Sequence, residues 1–107
     1  MRRGDIVTAV LPRAYGKPRP ALLIQDDVFE ALPSATILPI TSELRDAPPL
    51  RIPLEAGPQT GLSRPSQVMV DKVQTVPRAK LGRRLGTLDA ATMRRVSEAL
   101  GRFLGLE

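Results

Sequence analysis

Cysteine, histidine and tryptophan are all absent from the 107 residues, and each absence closes off a class of chemistry. Without cysteine there is no disulfide and no thiolate zinc site, and without histidine the other common zinc ligand is gone. No metal and no cofactor are expected. Histidine is also the usual acid and base near neutral pH, so any proton transfer has to use another group. Aromatic residues are almost as scarce. Tyr15, Phe29 and Phe103 are the only three, too few for a platform of stacked bases. No apolar run approaches the roughly 18 residues that span a bilayer, and the start MRRGDIV lacks the apolar stretch of a secretory signal. A soluble, cytoplasmic protein is the expectation.

What the chain does contain is positive charge and proline. Lysine and arginine total 16 against 11 acids, a formal charge of +5, which favours an anionic partner such as nucleic acid. Any such site has to work through charge and hydrogen bonds. The length fits one domain, residues 1–107. Short runs rich in valine, isoleucine and leucine recur at residues 5–11, 20–25, 36–40, 50–54 and 67–76, which predicts strands. No helix-length segment separates the early ones, so an antiparallel barrel or small sandwich is expected. The 11 prolines agree, because proline lacks an amide donor and marks loops, edges or strand ends. Met93, Val96, Leu100, Phe103 and Leu104 fall at helical intervals behind Asp89, a suitable N-cap. Residues 90–104 are therefore predicted to form one amphipathic helix, with Arg94, Arg95, Glu98 and Arg102 on its solvated face. The longest predicted loops are residues 42–49 and 55–65.

Four segments, in order and spacing, carry a family resemblance: Arg3-Gly4-Asp5-Ile6-Val7, Lys17-Pro18-Arg19-Pro20-Ala21-Leu22-Leu23-Ile24, Leu38-Pro39-Ile40-Thr41-Ser42, and residues 66–76, SQVMVDKVQTV. Together with the terminal helix after Leu85-Gly86-Thr87-Leu88, they resemble the MazF/PemK toxins over nearly the whole chain. The resemblance implies a mainly β fold, an SH3-like barrel of antiparallel strands with a C-terminal α-helix. It also implies a homodimer, a cognate antitoxin that covers the substrate groove, and DNA contact only through the toxin–antitoxin complex. The implied activity is ribosome-independent, metal-independent cleavage of single-stranded RNA within a short sequence, leaving 2′,3′-cyclic phosphate and 5′-hydroxyl ends.

The same resemblance marks Arg19 and Thr41 as catalytic. Arg19 sits between two prolines that stiffen the backbone, and a guanidinium fork fits two phosphate oxygens. On residue chemistry alone, a loop cap or a surface ion pair is the simpler account of it. Thr41 ends the strand of residues 36–40, where its hydroxyl can hold a phosphate oxygen. Ser42 competes for that role, because neighbouring strand residues face opposite ways, and a local turn hydrogen bond would explain either hydroxyl. An arginine with a pKa above about 12 is a poor base, so Arg19 is read as an electrostatic stabiliser and the proton acceptor stays unassigned.

Asp71 and Thr75 match the family pattern and are given supporting roles beside Ser42. A solvated carboxylate and an ordinary strand threonine would explain them too. Arg13, Tyr15 and Lys17, in the connection between the first two strands, are expected to gate and bind RNA, with Arg64, Lys72 and Arg78 extending the positive track. Arg83 and Arg84 are read as solvated surface, and Asp26-Asp27 as turn residues. The alternative function is a non-enzymatic toxin of the CcdB kind, which poisons DNA gyrase. The C-terminus Phe103-Leu104-Gly105-Leu106-Glu107 lacks the aromatic ending expected of that group. With no histidine present, the cleavage rate is expected to show no step near pH 6.5. A rate profile measured from pH 5 to 8 checks this, and a step there would point to a carboxylate moved out of its ordinary range.

Overall fold

The computed structural model describes residues 1–12 and 15–106. Its strands are β1 (Asp5–Val10), β2 (Pro18–Leu23), β3 (Ser34–Thr41), β4 (Arg51–Leu54), β5 (Ser66–Met69), β6 (Gln74–Pro77) and β7 (Leu81–Thr87), followed by the helix α1 (Ala90–Phe103). They form one seven-stranded antiparallel sheet in the order β4-β5-β3-β2-β1-β7, with β6 also paired to β3. β4 and β7 end this path and do not pair with each other. The sheet therefore coils without closing, a difference from the fully closed barrel.

β3 is shared along its length. Its first half, Ser34 to Ile37, pairs with β6, and its last two residues, Ile40 and Thr41, pair with β5. Both faces of the sheet are buried, which is why strand neighbours with alternating direction feed separate cores. Ile6, Leu22, Leu38, Ile40 and Val68 face one cluster, which α1 covers with Met93, Val96 and Ala99. Val7, Ala9, Ala21, Leu23, Ile37 and Val76 face the other, inside the curl of the sheet.

The run at residues 67–76 is broken in two by a short 3-10 turn, Val70–Lys72. Val70 is fully buried there and its amide donates to the Leu50 carbonyl at 2.9 Å, so the chain turns instead of running straight. β7, which has glycine and paired arginines in place of an apolar run, lacks the sequence signal of a strand. It is held by β1 through a ladder interrupted between Ile6 and Val7 and between Val7 and Ala9. At that irregularity the Thr8 hydroxyl accepts the Arg83 amide at 3.0 Å, a side chain standing in for a ladder bond. Gly86 lets the loop after β4 come close. A Cβ there would overlap the backbone of Gln59 and Thr60, and the Thr87 amide donates to the Gln59 carbonyl at 2.9 Å.

The helix begins as expected, with the Asp89 carboxylate accepting the Thr92 amide at 2.7 Å. It ends at Phe103 because Gly105, with φ of 72°, reverses the chain. The Leu106 amide then reaches the Gly101 carbonyl at 2.8 Å and the Gly105 amide the Arg102 carbonyl at 3.2 Å, a glycine-terminated cap. Its inward stripe is Met93, Val96, Ala99 and Gly101. Phe103 and Leu104 project past the core edge and are exposed.

One carboxylate is buried in this frame. Asp5 is 6% exposed, accepts the Arg2 amide at 2.7 Å and meets the Arg84 guanidinium at 3.2 Å. Burial pushes its carboxyl upward, but the Arg2 amide and the Arg84 hydrogen bond and charge outweigh it and hold it below the ordinary carboxylate value. A depressed folded pKa means stability that is present above the unfolded value and lost as pH falls through the folded one. Asp5→Asn is expected to cost about 1 kcal/mol at pH 7. Urea midpoints measured from pH 7 downward should converge with those of the parent as the medium becomes acidic.

Candidate active site

The β2–β3 ladder runs Leu23↔Ile37, Leu22↔Leu38 and Ala21↔Pro39, and stops there. Pro20 brings no amide donor to the next rung, where it would face Ile40, and β3 turns instead to β5, with Thr41 opposite Gln67. Two residues further along the interrupted register, Arg19 would have faced Thr41. The strands part between them, and a groove of about 670 Å³ opens. Arg19 and Thr41 line its walls together with Ser42, Glu43 and Arg64, and Leu11, Ile40, Leu62 and Met69 contribute apolar surface.

Arg19 is exposed and sits opposite Ala9 on β1. Among the described residues the only ion pair is Arg84 with Asp5, so no carboxylate claims the Arg19 guanidinium and its donors are available to an anion. Thr41 is half-buried and its hydroxyl accepts the Glu43 amide at 3.0 Å. This is the local turn bond that residue chemistry allows at such a position. It occupies an acceptor lone pair and leaves the O–H free to donate, the capacity a phosphate oxygen requires.

The loop carrying Ser42 and Glu43 is tied down by a side-chain network. Gln67 accepts the Arg45 amide at 3.0 Å and donates to the Arg45 carbonyl at 2.9 Å. Arg51 donates through Nη1 to the Glu43 carbonyl at 3.1 Å and to Gln67 Oε1 at 3.0 Å. Gln67 thus replaces a strand for a segment that has none, and the rim of the groove is held relative to β3 and β5.

The other sequence-predicted residues lie at different distances from this groove. Arg64 lines it, and its carbonyl accepts the Ser66 hydroxyl at 2.9 Å. Tyr15 is 95% exposed with a left-handed φ of 53°, and Lys17 is exposed just before β2. Arg13 lies outside the described residues. Asp71 and Lys72 occupy the Val70–Lys72 turn and do not line the groove. Thr75 lies opposite Thr36, near the far end of β3 from Thr41, and shares a hydrogen bond of 2.9 Å with the Thr36 hydroxyl. Arg78 donates through Nε to the Leu32 carbonyl at 2.7 Å, which fastens the β2–β3 connection. Glu43 is the groove residue that sequence reasoning missed. Its signal was its place two residues after Thr41, on the same rim.

A larger concavity of about 930 Å³ lies along the start of α1 and the loop of residues 55–60. It presents Glu55 and Asp89 against the single cation Arg95, a balance unsuited to a phosphodiester chain, whereas the smaller groove sets Arg19 and Arg64 against Glu43. No three acidic side chains come together as a metal site among the described residues, and no described helix is long and apolar enough to cross a membrane.

Residues 2–104 match the PemK-like, MazF-like toxin of type II toxin–antitoxin systems. The chain belongs to this family. It is 54% identical to a probable endoribonuclease MazF of Mycolicibacterium smegmatis, over 99% of this chain and 98% of that one. It is 35% identical to endoribonuclease MazF3 of Mycobacterium tuberculosis, over 85% and 86% of the two chains. The solved structure of M. tuberculosis toxin MazF-mt6 superposes with a TM-score of 0.83 at 33% identity, covering 96% of this chain and 98% of that one.

Removal of the Gln67 clamp by Gln67→Ala is expected to cost about 1–2 kcal/mol. Hydrogen exchange should speed up at the Arg45 amide, with the α1 amides unaffected. Unchanged Arg45 protection would show that the rim is held by something else.

Proposed function

We propose that this MazF-like toxin is a sequence-specific endoribonuclease that cuts single-stranded RNA, independently of the ribosome and of metal ions, through Arg19 and Thr41. The observation that carries this reading is the convergence of those two residues, 22 positions apart in the chain, on the lining of one groove. The RNA supplies its own nucleophile. Attack of a ribose 2′-hydroxyl on the adjacent phosphate adds negative charge at phosphorus, which the unclaimed Arg19 guanidinium is suited to stabilise. The O–H of Thr41, left free by its turn bond, donates to a phosphate oxygen. The products are a 2′,3′-cyclic phosphate and a 5′-hydroxyl. Ser42 and Arg64, on the same groove, take part in holding RNA. Tyr15 and Lys17 reach it from the connection before β2, and Asp71, Thr75, Lys72 and Arg78 act from outside the groove.

The partner is a cognate antitoxin. A net charge of +5 suits an acidic segment that occupies the same groove and excludes RNA. The toxin works as a cytoplasmic homodimer and meets DNA only within the toxin–antitoxin complex. The gyrase-poison alternative is set aside. The family and the relatives at 54% and 35% identity are endoribonuclease toxins, and a gyrase poison has no use for an arginine and a hydroxyl across a groove.

Incubation of purified protein with a long RNA in EDTA, followed by mapping of the ends, tests the proposal. Cleavage at a recurrent short sequence with cyclic phosphate ends is expected. Arg19→Ala should lower the rate by about 100-fold or more, as for loss of a transition-state donor, and Thr41→Ala by a smaller factor. Undiminished cutting by both variants would remove these residues from the site.

A further inference from the structure

The 2′-hydroxyl proton needs an acceptor, and the chain has no histidine. Among the described residues, Glu43 is the only carboxylate that lines the groove with Arg19 and Thr41. Asp71 lies in the turn after β5 and does not reach the lining. Glu43 is also placed with unusual firmness for an exposed loop residue. Its amide is spent on the Thr41 hydroxyl at 3.0 Å, and its carbonyl is held by Arg51 at 3.1 Å. Arg51 is itself braced on Gln67 at 3.0 Å. The backbone from which the carboxylate extends is therefore fixed relative to the hydroxyl that would hold the phosphate. Despite 16 cationic side chains in the molecule, the Glu43 carboxylate makes no ion pair among the described residues.

A lone acid in a groove for a polyanion repels its ligand, so its presence calls for a reason beyond binding. The charged groups that line the groove with it are Arg19 from β2 and Arg64 from the loop before β5, with Arg51 of β4 on its carbonyl. Together Arg19 and Arg64 leave the groove net positive and able to hold a phosphate beside the carboxylate.

We propose that Glu43 is the general base of the cleavage step, an inference that rests on the nuclease reading above. The Glu43 carboxylate takes the proton of the ribose 2′-hydroxyl. The freed electron pair forms the bond from the 2′ oxygen to phosphorus, and the bond from phosphorus to the 5′ oxygen breaks. The leaving 5′ oxygen takes a proton from water in the open groove, and the Glu43 carboxyl returns its proton to solvent, which regenerates the starting state.

Single-turnover cleavage of an RNA oligonucleotide containing a site mapped with the parent protein, followed from acid to neutral pH, tests this. Glu43→Gln keeps the size of the side chain and removes the base. It should lower the rate by about 100-fold or more and abolish the fall in rate on the acid side. Binding of an uncleavable oligonucleotide with a 2′-deoxy sugar at the scissile position should be at least as tight as to the parent, since a repelling charge is removed. Glu43→Asp should keep an intermediate rate and the acid-side fall, and both variants should melt at the parent temperature. A Glu43→Gln variant that cuts at the parent rate, or that is slower only through weaker binding, or that keeps the acid-side fall, overturns the assignment while the nuclease reading stands. If the parent cuts no RNA at all, the nuclease reading fails and the assignment fails with it.

Discussion

The pairing of the sheet centres on β3. β2, β5 and β6 pair with it directly, β1 and β4 one strand away, and β7 beyond β1. The constraint it imposes is backbone satisfaction under complete burial. Ala35, Ile37, Leu38 and Ile40 are all buried, with Ile37 in one core and Leu38 in the other, so no water is at hand for an unpaired amide or carbonyl. β3 meets this by changing partners. It takes β6 along its first half, β5 at its end, and β2 across Ile37 to Pro39. The coil of the sheet follows from that exchange, since one flat strand could not be bordered by β6 and β5 in succession without twisting away from one of them.

The groove is a product of the same exchange. A ladder between β2 and β3 that ran to the end would have zipped Arg19 against Thr41 and left no room for a ligand. Pro20 withholds the donor that the next rung needs, and the strands separate where the chemistry is proposed. Thr41 still gains a partner strand in β5, opposite Gln67. What would otherwise be a loose rim after Thr41 is held by Gln67 and Arg51. Rigid support around a solvent-open site is what electrostatic catalysis requires, because donors that must reorient at the moment of reaction contribute less.

Most of the strand positions were legible because two-sided burial concentrates valine, isoleucine and leucine into short runs, as at Ile6-Val7 and Ile37-Leu38. The helix was legible because Asp89 and the Met93–Val96 spacing are local signals. β7 was not, since Leu81-Gly82-Arg83-Arg84 owes its strand conformation to pairing with β1 and to the Thr8 hydroxyl. Nor was the break at Val70–Lys72, where an apolar run continues in sequence while the chain turns to bury Val70 and bond Leu50. The stripe of α1 was misjudged at its end. Phe103 and Leu104 keep helical spacing but extend past the core they would have joined.

The residue types, the missing histidine, the cation excess and the position of Arg19 between two prolines are properties of the chain read in order, and they limited the chemistry to charge and hydrogen bonding. Their spacing along the chain says nothing about distance. Arg19 and Thr41 share a groove, and Thr75 does not, because the β2–β3 register places them at one end of β3 and Thr75 at the other. Glu43 lines the groove for the same reason, in a segment held by the Thr41 turn and the Arg51–Gln67 brace. Register and loop bracing depend on the sum of long-range backbone pairings, and no local pattern of residues encodes that sum.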